Sequence, residues 1–487
     1  MSIIGKIIKW LVLSLVVALI GLAGWLWLLP PEKIRLAGAY SAKITCSNVY
    51  LAGRDMDKVM ADDVQAPGHP LLRYFTVSND GRGKVATRFL GLFATQYAVY
   101  RPGLGCASVP DGDAEAALNV KLAHAPVLPE PSDFEWPLGD AVTLAADEKV
   151  QAIIRDPAMN GPGMRAVVVV RDGRIIAETY GPGFAAGTPL LGWSMTKTVT
   201  GAITALRVAE GKLAWNKDHL LPEWEKDDRK AIGLSSLMAM ESGLVFNEEY
   251  GDVTDVTRML FLEPDQAKYA AGLPAEAAPG KTFNYSTGTA VLISRIWMDT
   301  FASVDDARDY PRKALFGPIG MRSAIFETDS RGTFSGGSLL YATARDWARF
   351  GLLLVNDGLW NENRILPADY MAMLTTPTAA SKGRYTGALA WKEGPQDRPN
   401  SEFGLPDDLY WALGHDGQSL AIVPSEKLVI VRMGLTPGKL GYLPQVMIGK
   451  IVDVLAQQAA LPEPTPEDAP PVASDPDVQP DEGENAQ

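Results

Sequence analysis

Ser194 and Lys197 stand three residues apart in Ser194-Met195-Thr196-Lys197, the one Ser-x-x-Lys of the chain. Residues at that spacing share a helix face, so the Lys197 nitrogen can reach the Ser194 hydroxyl. A serine hydroxyl is a poor nucleophile until a base takes its proton. A lysine serves as that base, neutral in the resting state, only when burial or neighbouring cations pull its pKa toward neutrality. A helix N-terminus adds partial positive charge in the same sense. Taken alone, the pattern also suits a helix cap beside a solvated lysine.

Two later segments extend this chemistry. Tyr285-Ser286-Thr287 follows Pro279-Gly280-Lys281. A tyrosine near cations acts as a phenolate or relays a proton to a leaving group, whereas an ordinary one is core with a satisfied hydroxyl. Gly414-His415-Asp416-Gly417-Gln418 precedes the apolar run Leu420–Val423. An imidazole at a strand edge can orient the tyrosine or the substrate, and the Gln418 N–H can join that of Ser194 as an oxyanion hole. The bland reading is a tight glycine turn carrying a structural histidine.

These residues need elements to hold them. Ala166–Arg171 is β-branched, Asp172-Gly173 signals a turn, and Arg174–Tyr180 completes a hairpin. Leu420–Val423 and Leu428–Met433 flank Pro424-Ser425-Glu426-Lys427 as a second hairpin. Between them lie helical patterns at Thr198–Glu210, Ala290–Met298 and Ala344–Asn356. Strands at both ends with helices between predict an α+β fold, an antiparallel sheet built from both ends beside a helical subdomain.

Order and spacing of the three segments resemble the serine β-lactamase and penicillin-binding-protein family. The details resemble its class C branch, with its esterases and 6-aminohexanoate-dimer hydrolases. The likeness covers about Trp136–Leu461 and includes Leu191-Gly192-Trp193, Glu241-Ser242-Gly243-Leu244 and the stretch Tyr341–Gly351. It implies a β-lactamase/transpeptidase-like fold, with Ser194 as acylated nucleophile, Lys197 as base and Tyr285 as proton shuttle. It further implies that His415 and Gly417 match the family's lysine-threonine-glycine motif, with the Gln418 N–H in the oxyanion hole. Similarity to the nylon-oligomer branch makes Tyr250 a substrate contact. Two positions depart from the β-lactamase pattern: Thr287 stands where asparagine is usual, and His415 where lysine is. The site then has no fixed cation for a substrate carboxylate. The expectation is a serine hydrolase, carboxylesterase or amidase, cleaving a small ester or amide without a cofactor. The alternatives are β-lactamase or D-Ala-D-Ala peptidase activity, or a non-catalytic binding module. An α/β-hydrolase fails because Thr196 stands where Gly-x-Ser-x-Gly needs its last glycine.

Composition bounds the rest. The chain has 487 residues and a net charge of −13, which argues against nucleic-acid binding. Its four histidines (His69, His124, His219, His415) are scattered and its two cysteines make no Cys-x-x-Cys, so no local metal site is expected. Residues 1–9 carry Lys6 and Lys9, and residues 10–29 are uncharged. A helix of that length, at about 1.5 Å per residue, just crosses a hydrocarbon core of roughly 30 Å. The leading lysines predict a cytoplasmic N-terminus, a single-pass inner-membrane anchor and a catalytic domain on the periplasmic side. A cleaved signal peptide or a core helix are the alternatives. Residues 30–135 read as an irregular extension ending in a proline-rich linker, and residues 136–460 as the hydrolase domain. On the exported side Cys46 and Cys106 are expected to pair, the alternative being two buried thiols. Residues 461–487 hold eight acidic residues, no basic ones and seven prolines, and read as a disordered tail.

Overall fold

The computed structural model describes residues 3–124 and 133–460. The acidic tail and most of the proline-rich linker lie outside the described residues.

Helix α1 (Ile3–Leu28) has 26 residues, and nearly all of its apolar side chains are exposed. It is long and apolar enough to cross a membrane. After Pro30-Pro31 the chain enters α2 (Glu32–Ala52). A four-stranded antiparallel sheet follows: β1 (Phe75–Asn79), β2 (Lys84–Phe89), β3 (Phe93–Arg101) and β4 (Gly105–Ser108), in that order. The stretch whose sequence reads as irregular is thus folded. Cys46 on α2 and Cys106 on β4 form a disulfide across 6.1 Å between Cα atoms, closing 60 residues of chain.

This extension is joined to the rest of the chain by polar bonds as well as by core packing. Lys43 of α2 donates to Glu327 at 2.5 Å, Ser47 Oγ donates to the same carboxylate at 2.8 Å, and the Cys106 N–H at 2.7 Å. Lys43 and Glu327 are both fully buried. Arg101 of β3 donates to the carbonyls of Thr328 and Asp329. Leu36, Ile44 and Phe75 share one core with Trp193, Phe261 and Leu340.

The central sheet joins both ends of the downstream region, as the hairpins predict. Its strands are β5 (Met164–Arg171), β6 (Arg174–Tyr180), β7 (Tyr410–Gly414), β8 (Gln418–Val423) and β9 (Leu428–Gly434), in the antiparallel order β7-β8-β9-β5-β6. The β5–β9 register pairs Val168 with Val431 and Val170 with Val429. Strand alternation sends Val168 and Val170 into the main core, while Val167 and Val169 pack with Ile448 and Ile451 on the opposite face. Burial on both faces accounts for the continuous valine run. Helices α3 (Thr196–Ala209), α4 (Thr287–Met298) and α5 (Ala344–Val355) occupy the main-core side. The fold is therefore α+β, and the ends of α3, α4 and β7 converge on Ser194.

Candidate active site

Ser194 lies in a 3-10 turn, Trp193–Met195, that runs directly into α3. The α-helix proper begins at Thr196, so serine and lysine span the change of helix type. Trp193 has φ 47°, a left-handed value that a bulky residue rarely adopts. Such a conformation costs on the order of 1–3 kcal/mol and persists because packing holds it. The Trp193 ring is buried and meets those of Tyr250 and His415 edge-on, with centroids 6.3 and 5.6 Å away. Gly414, at the end of β7, faces the turn: a Cβ there would stand 2.3 Å from the Gly192 carbonyl oxygen. Glycine is what allows the sheet edge to approach the serine.

The Lys197 side chain is 1% exposed. Its Nζ donates to Ser194 Oγ at 2.9 Å, Thr287 Oγ1 at 2.8 Å and the Gly337 carbonyl at 2.9 Å. Gly337 supplies that carbonyl by lying against Thr287, where a Cβ would meet Thr287 atoms at 2.6 Å. Burial lowers the lysine pKa from 10.5 to about 8, with the Glu248 carboxylate opposing the fall. The lysine therefore titrates close to neutral pH, and when protonated its three protons are engaged. The Glu248 carboxylate that opposes the fall has its Oε1 3.8 Å from Nζ.

Glu248 accepts from the Thr287 N–H at 2.7 Å and from Thr287 Oγ1 at 2.5 Å, an anion seated on the first turn of α4. Burial raises its pKa, against the pull of Lys197. Thr287 thus accepts from the lysine and donates to the glutamate through one hydroxyl. Sequence reasoning missed Glu248 and the Gly337 carbonyl. The only signal for Glu248 was its place in Asn247-Glu248-Glu249-Tyr250, the segment singled out for Tyr250.

Tyr285 lies with its ring 4.5 Å from Lys197 Nζ and packs against Tyr385 and Trp391. Its hydroxyl faces Ser194 and the Trp391 side chain. Burial, and secondarily Glu248, push its pKa well above the ordinary value, so the phenol is neutral. One cation, Lys197, stands over the ring and the Glu248 carboxylate opposes it, surroundings that favour the proton relay over a phenolate.

The third segment forms the turn between β7 and β8, with Gly414 paired to Gln418. Gln418 is buried and its side chain is fully engaged. Its amide N–H groups donate to the carbonyls of His415, Asp416 and Gly434, and its oxygen accepts from the Gly434 N–H at 2.8 Å. That leaves only its backbone for a reacting carbonyl. The Gly417 carbonyl accepts from Arg432 at 2.9 Å, which anchors the turn from below. His415 Nδ1 lies 3.1 Å from Asp416, and its ring tilts against that of Tyr250 at 4.5 Å between centroids. The Tyr250 hydroxyl is sealed from solvent, and burial raises its pKa. Ser194, Lys197, Tyr285, His415, Gly417, Gln418 and Tyr250 thus lie in one neighbourhood. Cys46 and Cys106 lie apart from it, in the extension. Among the described residues no group of three or more His, Cys, Asp or Glu side chains converges as metal ligands do.

Among known proteins, an uncharacterised protein of Alkalihalophilus pseudofirmus is 30% identical over 98 residues, 19% of this chain. The match spans only 29% of that relative's own length. The fold is similar to a Bacillus anthracis protein assigned as a 6-aminohexanoate-dimer hydrolase, with TM-score 0.54, 21% identity, and coverage of 66% of this chain and 89% of that one. It is also similar to a Bacteroides dorei protein assigned as a β-lactamase, with TM-score 0.50, 18% identity, and coverage of 61% and 95%. A penicillin-binding protein homologue of Caulobacter crescentus gives TM-score 0.50 at 13% identity, covering 64% of this chain and all of that one. The β-lactamase family profile matches residues 151–439, well over half of the sequence and the whole span from before the serine to beyond Gln418. With the fold already described, that match means that this chain belongs to the serine β-lactamase and penicillin-binding-protein family.

Proposed function

We propose that the chain is a membrane-anchored serine hydrolase that cleaves an uncharged ester or amide through an acyl-enzyme on Ser194. The observation that carries the reading is the buried Lys197 amine, 2.9 Å from Ser194 Oγ, with a pKa of about 8. Once deprotonated, Lys197 changes from donor to acceptor and takes the Ser194 proton. The Ser194 oxygen then bonds to the substrate carbonyl carbon, and the carbonyl oxygen gains negative charge under the N–H groups of Ser194 and Gln418. Tyr285, a neutral phenol, hands a proton to the departing alcohol or amine and is reprotonated from Lys197. Water then releases the acid by the reverse sequence. Tyr250 and His415 line the substrate side.

The third segment supports an uncharged substrate, since His415 stands where the family motif has a fixed cation. The B. anthracis neighbour's assigned activity, hydrolysis of a 6-aminohexanoate dimer, is compatible with this reading; a β-lactam or peptidoglycan stem, with its carboxylate, suits it less. Residues 10–29 serve as the anchor, residues 30–135 as an extension built onto the hydrolase, and residues 136–460 as the hydrolase itself, on the periplasmic side. Protease added to intact spheroplasts should digest the catalytic region; its protection until lysis contradicts that topology.

The decisive test is intact-mass spectrometry after exposure to a p-nitrophenyl ester or a fluorophosphonate. One adduct on Ser194, lost in Ser194→Ala together with turnover, is expected. An adduct elsewhere, or undiminished hydrolysis by Ser194→Ala, overturns the assignment.

A further inference from the structure

A cavity of about 420 Å³ lies between the extension and the site. Trp193, Tyr250 and His415, the aromatic group next to Ser194, line it on one side. Most of its wall is apolar, with Leu36 and Ala37 of α2, Leu71, Leu72 and Phe261, while Asp252 and Asp416 also line it. Lys33 and Lys439 stand on its lining, both solvent-accessible. At roughly 30 Å³ per water-sized group the space admits about a dozen methylenes. That exceeds what a small ester needs, and an open, mainly apolar cleft of this size suits a hydrocarbon chain with its polar end at the charged rim.

The cavity is also close to where α1 ends. Lys33 and Leu36 follow Leu28 by five and eight residues, two of them prolines. With extended and helical rises, that is roughly 15 Å of chain. The hairpin between β2 and β3 adds an independent sign. Its turn closes with the Leu92 N–H on the Phe89 carbonyl, and Leu90 and Gly91 both have left-handed φ, 51° and 74°. Such a turn ordinarily takes Asn-Gly or Asp-Gly. Here Leu90 and Leu92 stand 53% and 64% exposed, which turn geometry does not call for. The next residue, Phe93, meets Trp27 of α1 edge-on at 6.4 Å. Tyr74, 58% exposed, contacts Phe89 and ends the short turn Pro70–Tyr74 that supplies Leu71 and Leu72 to the cavity. The end of an apolar helix, an exposed apolar turn and a cavity wall thus adjoin one another, as they would on a face resting against lipid.

We infer that this cavity holds the hydrocarbon chain of a membrane amphiphile, an ester or amide that enters from the bilayer and presents its carbonyl to Ser194. The inference rests on the hydrolase reading above and on α1 as the anchor. The extension then has a function: it supplies the chain-binding wall and sets its mouth at headgroup level.

The test uses the full chain reconstituted in phosphatidylcholine vesicles, with p-nitrophenyl acetate, butyrate, octanoate and dodecanoate. Each methylene buried in the cavity should raise kcat/KM about fourfold, so that octanoate exceeds acetate by at least ~30-fold even with partial burial. Ala37→Trp, which fills the cavity from α2, should lower the octanoate-to-acetate ratio at least ~10-fold. Leu71→Trp probes the opposite wall and should do the same if Ala37→Trp does not fold. Dodecanoate ester placed in the enzyme's own vesicles should turn over faster than ester carried by separate vesicles. A flat chain-length profile with Ser194 still labelled by a fluorophosphonate overturns the inference and leaves the hydrolase reading intact. So does a chain-length preference that neither tryptophan alters. Equal rates from the two vesicle arrangements overturn the bilayer route. Absence of both labelling and turnover defeats the hydrolase reading itself, and this inference with it.

Discussion

Glu248→Gln tests whether the carboxylate missed by the sequence reading sets the working pH of the site. In the wild type, the neutral fraction of Lys197 grows as pH rises through about 8. If neutral Lys197 is the general base, kcat/KM for a neutral ester should climb along an acid limb with that midpoint. About one lysine in ten is then competent at pH 7 and about nine in ten at pH 9. Glu248 opposes the effect of burial, so removing its charge lowers the lysine pKa further. At 3.8 Å and an effective dielectric near 20, a unit pair is worth about 4 kcal/mol. The Glu248 side chain is 21% exposed, and solvent screening leaves roughly 1.5–3 kcal/mol. At about 1.4 kcal/mol per pH unit, the acid limb should move about one to two units lower.

Glutamine keeps an oxygen to accept the Thr287 N–H and an amide group to face the Thr287 hydroxyl, so the start of α4 stays capped. The assay is the pH dependence of kcat/KM for p-nitrophenyl butyrate from pH 5 to 10, with Ser194 titrated by active-site labelling. The plateau should fall only a few-fold, because a less basic amine is a poorer proton acceptor. A limb that stays near pH 8, or moves upward, would falsify the claim that Glu248 raises the lysine pKa.

Other substitutions probe separate parts of the structure. Tyr285→Phe should slow acylation about 10²–10³-fold by stopped-flow with an activated ester while the unfolding midpoint changes little, since one hydroxyl is lost from an intact ring cluster. Cys46→Ser opens a 60-residue loop and should cost about 4 kcal/mol in urea denaturation, with Ser194 labelling retained. Glu327→Gln strands the buried Lys43 ammonium and should destabilise by about 3–5 kcal/mol, and Lys43→Met added to it should recover much of that loss. If the double variant is no more stable than the single one, the penalty does not come from the unpaired cation.

The central sheet and its helices were legible because their signals are local. The run Ala166–Val170 is apolar throughout, with no polar alternation, because both faces are covered, and a turn signal at Asp172-Gly173 bounds it. The extension was illegible for the opposite reason. Helix α2 buries Ser41, Lys43, Thr45 and Ser47, polar residues that break an amphipathic stripe. Two of them, Lys43 and Ser47, are accounted for by Glu327, 280 residues beyond Ser47. Strand β3 does alternate between buried and partly exposed positions, a pattern the sequence carries in Phe93-Ala94-Thr95-Gln96-Tyr97 only faintly because small and polar residues fill the buried sites. The same long-range dependence hid Glu248. Two adjacent glutamates before a tyrosine resemble an exposed loop, and only the fold puts one of them on the first turn of α4.

One of the two departures from the β-lactamase motif, Thr287, is tied directly to that carboxylate. Threonine at 287 offers one hydroxyl that accepts from Lys197 and donates to Glu248, at 2.8 and 2.5 Å. The lysine and glutamate therefore form a compact pair of opposite charge, with the ammonium turned toward Ser194, Thr287 and Gly337. A substrate carboxylate near Ser194 would meet Glu248 as well as Lys197, and His415 brings no permanent charge to offset the repulsion. A neutral carbonyl carries no such penalty. It needs N–H groups only where negative charge develops during reaction, and the Gln418 side chain, clamped to Gly434, holds that strand edge in place. Charge balance at the serine and the mainly apolar wall of the adjoining cavity thus both support the proposed substrate, an uncharged carbonyl carried on a hydrocarbon chain.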